Sequence, residues 1–101
     1  MIITELVFMK TLEGIKKENF IEIVDKLEEN FHKPQAGFID SELLYDEKNN
    51  EWIMVQHWKT LEQLKASSKQ IFVAKEAKEF VQSLQPENVK MLILPQIRQW
   101  K

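Results

Sequence analysis

Apolar residues in this chain recur with a period of two, then about 3.6, then two twice over, then 3.6 again and finally two, and few folds accept that succession. The middle of the chain is the most constraining part. Phe38 to Tyr45 and Glu51 to Trp58 both alternate, and the polar run Asp46-Glu47-Lys48-Asn49-Asn50 between them reads as the turn of a β-hairpin. Before it, Ile2 to Thr11 is rich in β-branched and aromatic residues and reads as a strand, followed by a loop with Gly14. Phe20, Ile23, Val24, Leu27 and Phe31 then mark one face of an amphipathic helix, predicted from Asn19 to about His32, with Asn19 and Glu22 at capping-box spacing. Lys33-Pro34-Gln35-Ala36-Gly37 stops this helix, since proline cannot continue the ladder.

After the hairpin, Thr60 and Gln63 repeat the capping-box spacing, with Leu61 and Leu64 in the first apolar turn. Ser67-Ser68 is a point where the second helix could break, and Val73, Ala77, Phe80, Val81 and Leu84 fall on one helical face beyond it. Gln85-Pro86-Glu87-Asn88 ends the helix, and Val89 to Trp100 reads as a long last strand. Pro95 interrupts that strand; without an N–H it belongs at a sheet edge, at a bulge or outside the sheet.

The order β-α-β-β-α-β is that of the ferredoxin-like α+β fold, an antiparallel sheet with both helices on one face. At 101 residues, without repeats or linkers, the chain reads as a single domain, 1–101. If Tyr45 lies opposite Glu51, one hairpin face carries Phe38, Asp40, Glu42 and Leu44 beside Trp58, Gln56, Met54 and Trp52. The other carries Ile39, Ser41, Leu43 and Tyr45 beside His57, Val55, Ile53 and Glu51. Neither is a plain solvent face, so the side the helices leave bare needs a cover, and a homodimer formed through the sheet is the expected one.

Several function classes are disfavoured by composition. With no cysteine there are no disulfides or thiolate metal sites, and a cytoplasmic address is expected. The start MIITELVFMK lacks a basic n-region and alternates like a strand, and no run approaches the ~20 apolar residues of a membrane span, so no membrane partner is expected. A formal charge of −2, with lysines and glutamates interspersed, sets up no positive field for nucleic acid. Two glycines cannot build a phosphate loop, and none of the serines lies in a Gly-x-Ser-x-Gly context.

The stretch from Gly37-Phe38-Ile39-Asp40-Ser41-Glu42-Leu43, through Trp52-Ile53-Met54-Val55-Gln56-His57-Trp58, to Thr60-Leu61-Glu62-Gln63-Leu64-Lys65-Ala66 resembles the antibiotic-biosynthesis-monooxygenase family of dimeric α+β barrels. Gly37, Glu42 and Trp58 match its usual pattern. Ala36 stands in place of a proline, Gln56 in place of a frequent glutamate, and Lys59 and Leu61 in place of commonly acidic residues. The resemblance implies a homodimer whose sheets pack into a barrel, with a ligand pocket in each subunit between sheet and helices. Family members include cofactor-independent monooxygenases of polyaromatic substrates and haem degraders. The haem degraders carry an asparagine on the first strand, and a tryptophan and a histidine on the second helix. The matching positions here are Val7, Ser67 and about Ala77, which disfavours haem degradation by that mechanism.

The candidate catalytic residues are therefore Trp58 and Gln56, which would orient a substrate, and Glu42 or His57, which could take its proton. Phe38, Asp40 and Met54, with Leu64 and Ser67 of the following helix, are the expected pocket lining for a small apolar or aromatic ligand. His32 is expected to complement the dipole at a helix C-terminus. No metal centre is expected, since His32 and His57 lie on different elements without a second histidine at ligand spacing, and no cofactor is called for. Two functions follow: a monooxygenase-like enzyme acting on an aromatic or quinol-type substrate, or a non-catalytic homodimer of the same fold that binds a small ligand or serves as an interaction module.

Overall fold

Strand β1 (Ile3–Met9) leads through a loop into helix α1 (Lys17–Leu27), which ends in a π-helical turn, Glu28–His32. Strands β2 (Phe38–Asp46) and β3 (Glu51–Trp58) form the hairpin. Helix α2 (Leu61–Gln70), a 3-10 turn at Lys75–Ala77, the short helix α3 (Lys78–Gln82) and strand β4 (Lys90–Pro95) follow. This computed structural model describes all residues, 1–101. The sheet is antiparallel throughout with strand order β2-β3-β1-β4, and its helices lie on one face, as the ferredoxin-like α+β reading requires.

The hairpin register differs from the expected one by a single residue. Asp46, not Tyr45, pairs with Glu51, because the Asp46 carboxylate accepts from the Lys48 and Asn49 backbone N–H groups at 3.0 and 3.3 Å and closes the turn one residue later. A slip of one residue exchanges faces. Ser41, Leu43 and Tyr45 therefore share the face of Gln56, Met54 and Trp52, while Asp40, Glu42 and Leu44 move to the opposite side. A bulge between Phe38 and Asp40 restores Phe38 to its place opposite Trp58.

The helix ends also shift. Lys16 occupies the first cap with no side-chain hydrogen bond, so Asn19 and Glu22 form no capping box. Thr60 does cap α2: its Oγ1 accepts from the Gln63 backbone N–H at 3.1 Å and donates to Gln63 Oε1 at 3.1 Å. Ser67-Ser68 does not break α2; the break comes at Ile71–Ala74, which leaves Val73 81% exposed instead of on the buried face with Ala77, Phe80 and Leu84. The last strand is shorter than predicted. Its final rung places Pro95 opposite Ile3 on an edge strand, where a missing N–H breaks no central ladder.

Two apolar clusters hold helices to sheet. In the larger, Phe20, Val24, Leu27 and Phe31 of α1 and its π-helical turn pack on Met9, Trp52 and Met54, joined by Ala77, Phe80 and Leu84. The smaller joins Ile3, Trp58 and Leu64, with Phe38 and Leu61 against it. On the other sheet face no element covers Leu6, Phe8, Ile53, Val55, Leu44, Leu92 and Leu94, and Leu44, Leu92 and Leu94 are 43, 38 and 46% exposed. No helix is long and apolar enough to cross a membrane.

Candidate functional site

Strand pairing assembles the site in transverse rows on the inner face. One row is apolar, Leu43, Met54, Val7 and Met91, and another is Phe38, Trp58, Ile3 and Pro95. Between them lies a row with three polar members: Ser41 pairs with Gln56, and Gln56 with Glu5. Above this row the break between α2 and α3 leaves a partly enclosed cavity of about 280 Å³. That is close to the lower end of the roughly 300–1,000 Å³ usual for small-molecule sites. Val7, Met9, Met54, Ile71, Phe80 and Leu84 supply much of its apolar wall, and Glu5, His32, Gln56, Trp58 and Ser67 are the polar groups that reach it.

Gln56, 1% exposed, is the centre of a hydrogen-bonded chain. Its amide Nε2 donates to Ser41 Oγ at 2.9 Å and, at the long limit of 3.5 Å, to Glu28 Oε1. Its Oε1 accepts from Trp58 Nε1–H at 3.4 Å. The second oxygen of Glu28 meets His32 Nδ1 in a short hydrogen bond. A carboxylate can only accept, so Nδ1 carries the proton, and the Gln56 amide nitrogen 3.1 Å from Nδ1 is a packing neighbour and not a second donor to it. The π-helical turn, closed by the Lys33 N–H donating to the Glu28 carbonyl at 2.9 Å, brings Glu28 and His32 together. Phe38 stacks on the His32 ring at 5.9 Å, with Phe31 and Trp58 edge-on at 5.0 and 6.2 Å.

Glu5 is 6% exposed, lines the cavity and has no hydrogen-bond partner in the protein. Burial pushes its carboxyl above the ordinary glutamate range, and the nearby His32 offsets only part of that.

The sequence-predicted residues divide cleanly by face. Trp58, Gln56, Met54 and Ser67 line the cavity, and Phe38 and Leu64 back the Trp58 ring. Asp40, Glu42 and His57 lie on the opposite side of the sheet, where Asp40 accepts from His57 Nδ1 at 2.6 Å. The one-residue register change removes Asp40 from the expected lining and separates Glu42 from Trp58. His32 does lie in the last turn of the helical segment, as expected, but it is also 5% exposed and part of the cavity wall, which the dipole reading did not foresee. Glu5 was missed as well, although the period of two already grouped it with Ile3, Val7 and Met9. A second, larger groove near the β1–α1 loop, lined by Lys10, Lys16 and Lys17 beside Tyr45 and Trp52, is wide open and contains no buried charged group.

Solved structures share this architecture. SnoaB from Streptomyces nogalater, a cofactor-independent oxygenase, superposes with a TM-score of 0.74 at 16% identity, covering 97% of this chain and 95% of its own. Rv0793 from Mycobacterium tuberculosis superposes with a TM-score of 0.74 at 9% identity over 100% of both chains. A conserved protein from Methanosarcina mazei Go1 gives 0.69 at 17% identity, over 92% of this chain and 90% of its own. At such identities the likeness is one of fold. No curated protein matches this sequence. The model of the antibiotic biosynthesis monooxygenase family matches residues 2–83, a span that includes β1, the hairpin, α2 and both Glu28 and His32, and the chain is a member of that family.

Proposed function

We propose that this protein is a monooxygenase-like enzyme that oxidises a small flat aromatic or quinol-type substrate with dioxygen, without metal or flavin. The observation that carries this reading is the cavity itself: a partly enclosed, mainly apolar space of about 280 Å³ lined by a few polar groups from sheet and helices. Oxygenation without a cofactor requires a substrate that gives up a proton to become an electron-rich anion. An anthrone is such a substrate: its CH2 carbon becomes a carbonyl, one oxygen atom of O2 enters the product, and the other leaves as water with both hydrogens. In this scheme the Trp58 ring forms the floor on which a flat substrate lies, and Gln56 keeps that ring and Glu28 in place.

One observation favours the alternative of a non-catalytic ligand-binding protein. Trp58 Nε1–H and the Gln56 amide are already hydrogen-bonded within the protein, so neither offers a free donor to a substrate. Oxygen uptake with a panel of hydroquinones and anthrones separates the two readings, with a haem titration as the control for the haem-degrading branch. The enzyme reading expects turnover above the uncatalysed rate and a fall in kcat/KM of roughly tenfold or more in Trp58→Ala and Gln56→Ala. Full turnover in both variants would remove these residues from the mechanism, and binding without oxygen uptake would establish the second reading.

The bare outer face supports a further part of the proposal, that the working form is a homodimer joined through this side of the sheet.

A further inference from the structure

Besides the Ser67 hydroxyl, the cavity is lined by two titratable groups that no hydrogen bond within the protein uses. One is the Glu5 carboxyl; the other is His32 Nε2, whose ring is fixed through Nδ1 by Glu28. No fully enclosed side-chain nitrogen or oxygen in the protein lacks a partner, so both keep an opening, and the space that both residues line is the cavity. They flank the same residue, since Glu5 is the cross-strand partner of Gln56 and His32 touches the Gln56 amide. An imidazole held by a carboxylate at one nitrogen, with the other nitrogen free, is the arrangement of a positioned general base.

We propose that His32, positioned by Glu28, accepts at Nε2 the proton of a substrate hydroxyl, that Glu5 faces the same oxygen, and that the site is therefore selective for phenols. This inference rests on the reading of the cavity as a small-aromatic site. In the step, the substrate O–H bond breaks, its electron pair stays on oxygen, and an N–H bond forms at Nε2. Nδ1–H stays with Glu28, whose charge balances the imidazolium, and no oxidation state changes. A phenol, with a pKa near the value of about 10 for tyrosine, lies within reach of such a base, whereas an aliphatic hydroxyl does not. Because burial favours the protonated form of Glu5, its carboxyl is disposed to donate a hydrogen bond to the phenolate oxygen instead of repelling it.

The test uses 4-nitrophenol, whose phenolate absorbs in the visible, and 4-nitroanisole, its methyl ether without the proton. At a mildly acidic pH, where free nitrophenol is mostly neutral, the wild-type protein should bind it and produce the phenolate band. In His32→Gln and Glu28→Gln the bound phenolate fraction should fall roughly tenfold or more, the scale of a lost hydrogen bond to a charged group. Nitroanisole binding, measured by calorimetry, reports whether each variant still forms the cavity, and Glu28→Gln keeps the side-chain shape should His32→Gln not fold. A wild-type complex that binds both probes without a phenolate band, or a band that survives both substitutions, overturns the proton transfer and leaves the aromatic site standing. Failure of the wild-type protein to bind either probe overturns both readings.

Discussion

A carboxyl group carried on an inward-facing strand position loses most of its hydration, and Glu5 has only the cavity and the nearby His32 in exchange. Its folded pKa is raised by burial, so at pH values above the ordinary glutamate range the folded state holds more protons than the unfolded chain. The sign follows: Glu5 leaves stability unaffected below its unfolded pKa and subtracts from it as pH rises towards and through its folded one. Thermal unfolding of Glu5→Gln should therefore show Tm at or above wild type at neutral pH, with the advantage shrinking towards about pH 4, near the ordinary pKa of the group. A lower Tm at neutral pH with no convergence in acid would mean that the carboxylate is stabilised by a partner. The location of Glu5 in the site was only half readable in the sequence. Alternation groups Ile3, Glu5, Val7 and Met9 on one face, but Leu6 and Phe8 make the other face apolar too, so the pattern along β1 does not say which side is inside. His32 was harder still, because the helical period continues to it and only the π-helical turn swings its ring against Glu28 and the cavity.

At the scale of elements, the sequence shows which segments are strands and helices far better than how they join. Both hairpin strands, the α1 stripe and the Thr60 cap are where periodicity and capping chemistry place them. The register of β2 on β3 depends on Asp46 closing its own turn, a side-chain choice that the polar run 46–50 leaves open, and with it went the side on which Asp40 and Glu42 lie. The junction between α1 and β2 is more tightly determined. Gly37 has φ +85°, its carbonyl accepts from the Lys59 N–H at 2.8 Å, and a Cβ there would come within 2.0 Å of Gln63 Oε1. Since Gln63 is also the partner of the Thr60 cap, this glycine lets β2 and the start of α2 approach closely. Gly37→Ala should cost about 1–3 kcal/mol, read as a lower denaturant midpoint with an unchanged m-value. Combining it with Gln63→Ala should recover only part of the steric cost, because the residue-63 Cβ 2.8 Å away remains, and leave the cost of the positive φ, and a single variant as stable as wild type would show that the cap yields freely.

For the whole molecule, the unpaired feature is the outer sheet face. Its apolar residues are concentrated on β4, β1 and β3, as Leu92 and Leu94, Leu6 and Phe8, and Ile53 and Val55, while β2 adds Leu44 but otherwise carries Glu42 and the Asp40 that accepts from His57. An apolar centre beside a charged margin is the distribution of an interface and not of a wet sheet face. A self-complementary contact of standard size, roughly 800 Å² per partner, fits a face of this kind centred near β1. Analytical ultracentrifugation of the wild-type protein at micromolar concentration should accordingly give twice the chain mass. Leu92 and Leu94 are 38 and 46% exposed in the single chain, so replacing both with glutamate should change monomer stability by only about 0.5 kcal/mol at each position. In a dimer the same substitutions bury unpaired charge, a penalty of roughly 3–5 kcal/mol, enough to weaken association at least a hundredfold. The expected result is a folded monomer with a wild-type circular dichroism spectrum. If the double variant sediments like wild type, the second copy docks elsewhere; if the wild-type protein is itself a stable monomer, the outer face needs no partner, and the cavity between sheet and helices must work within one chain alone.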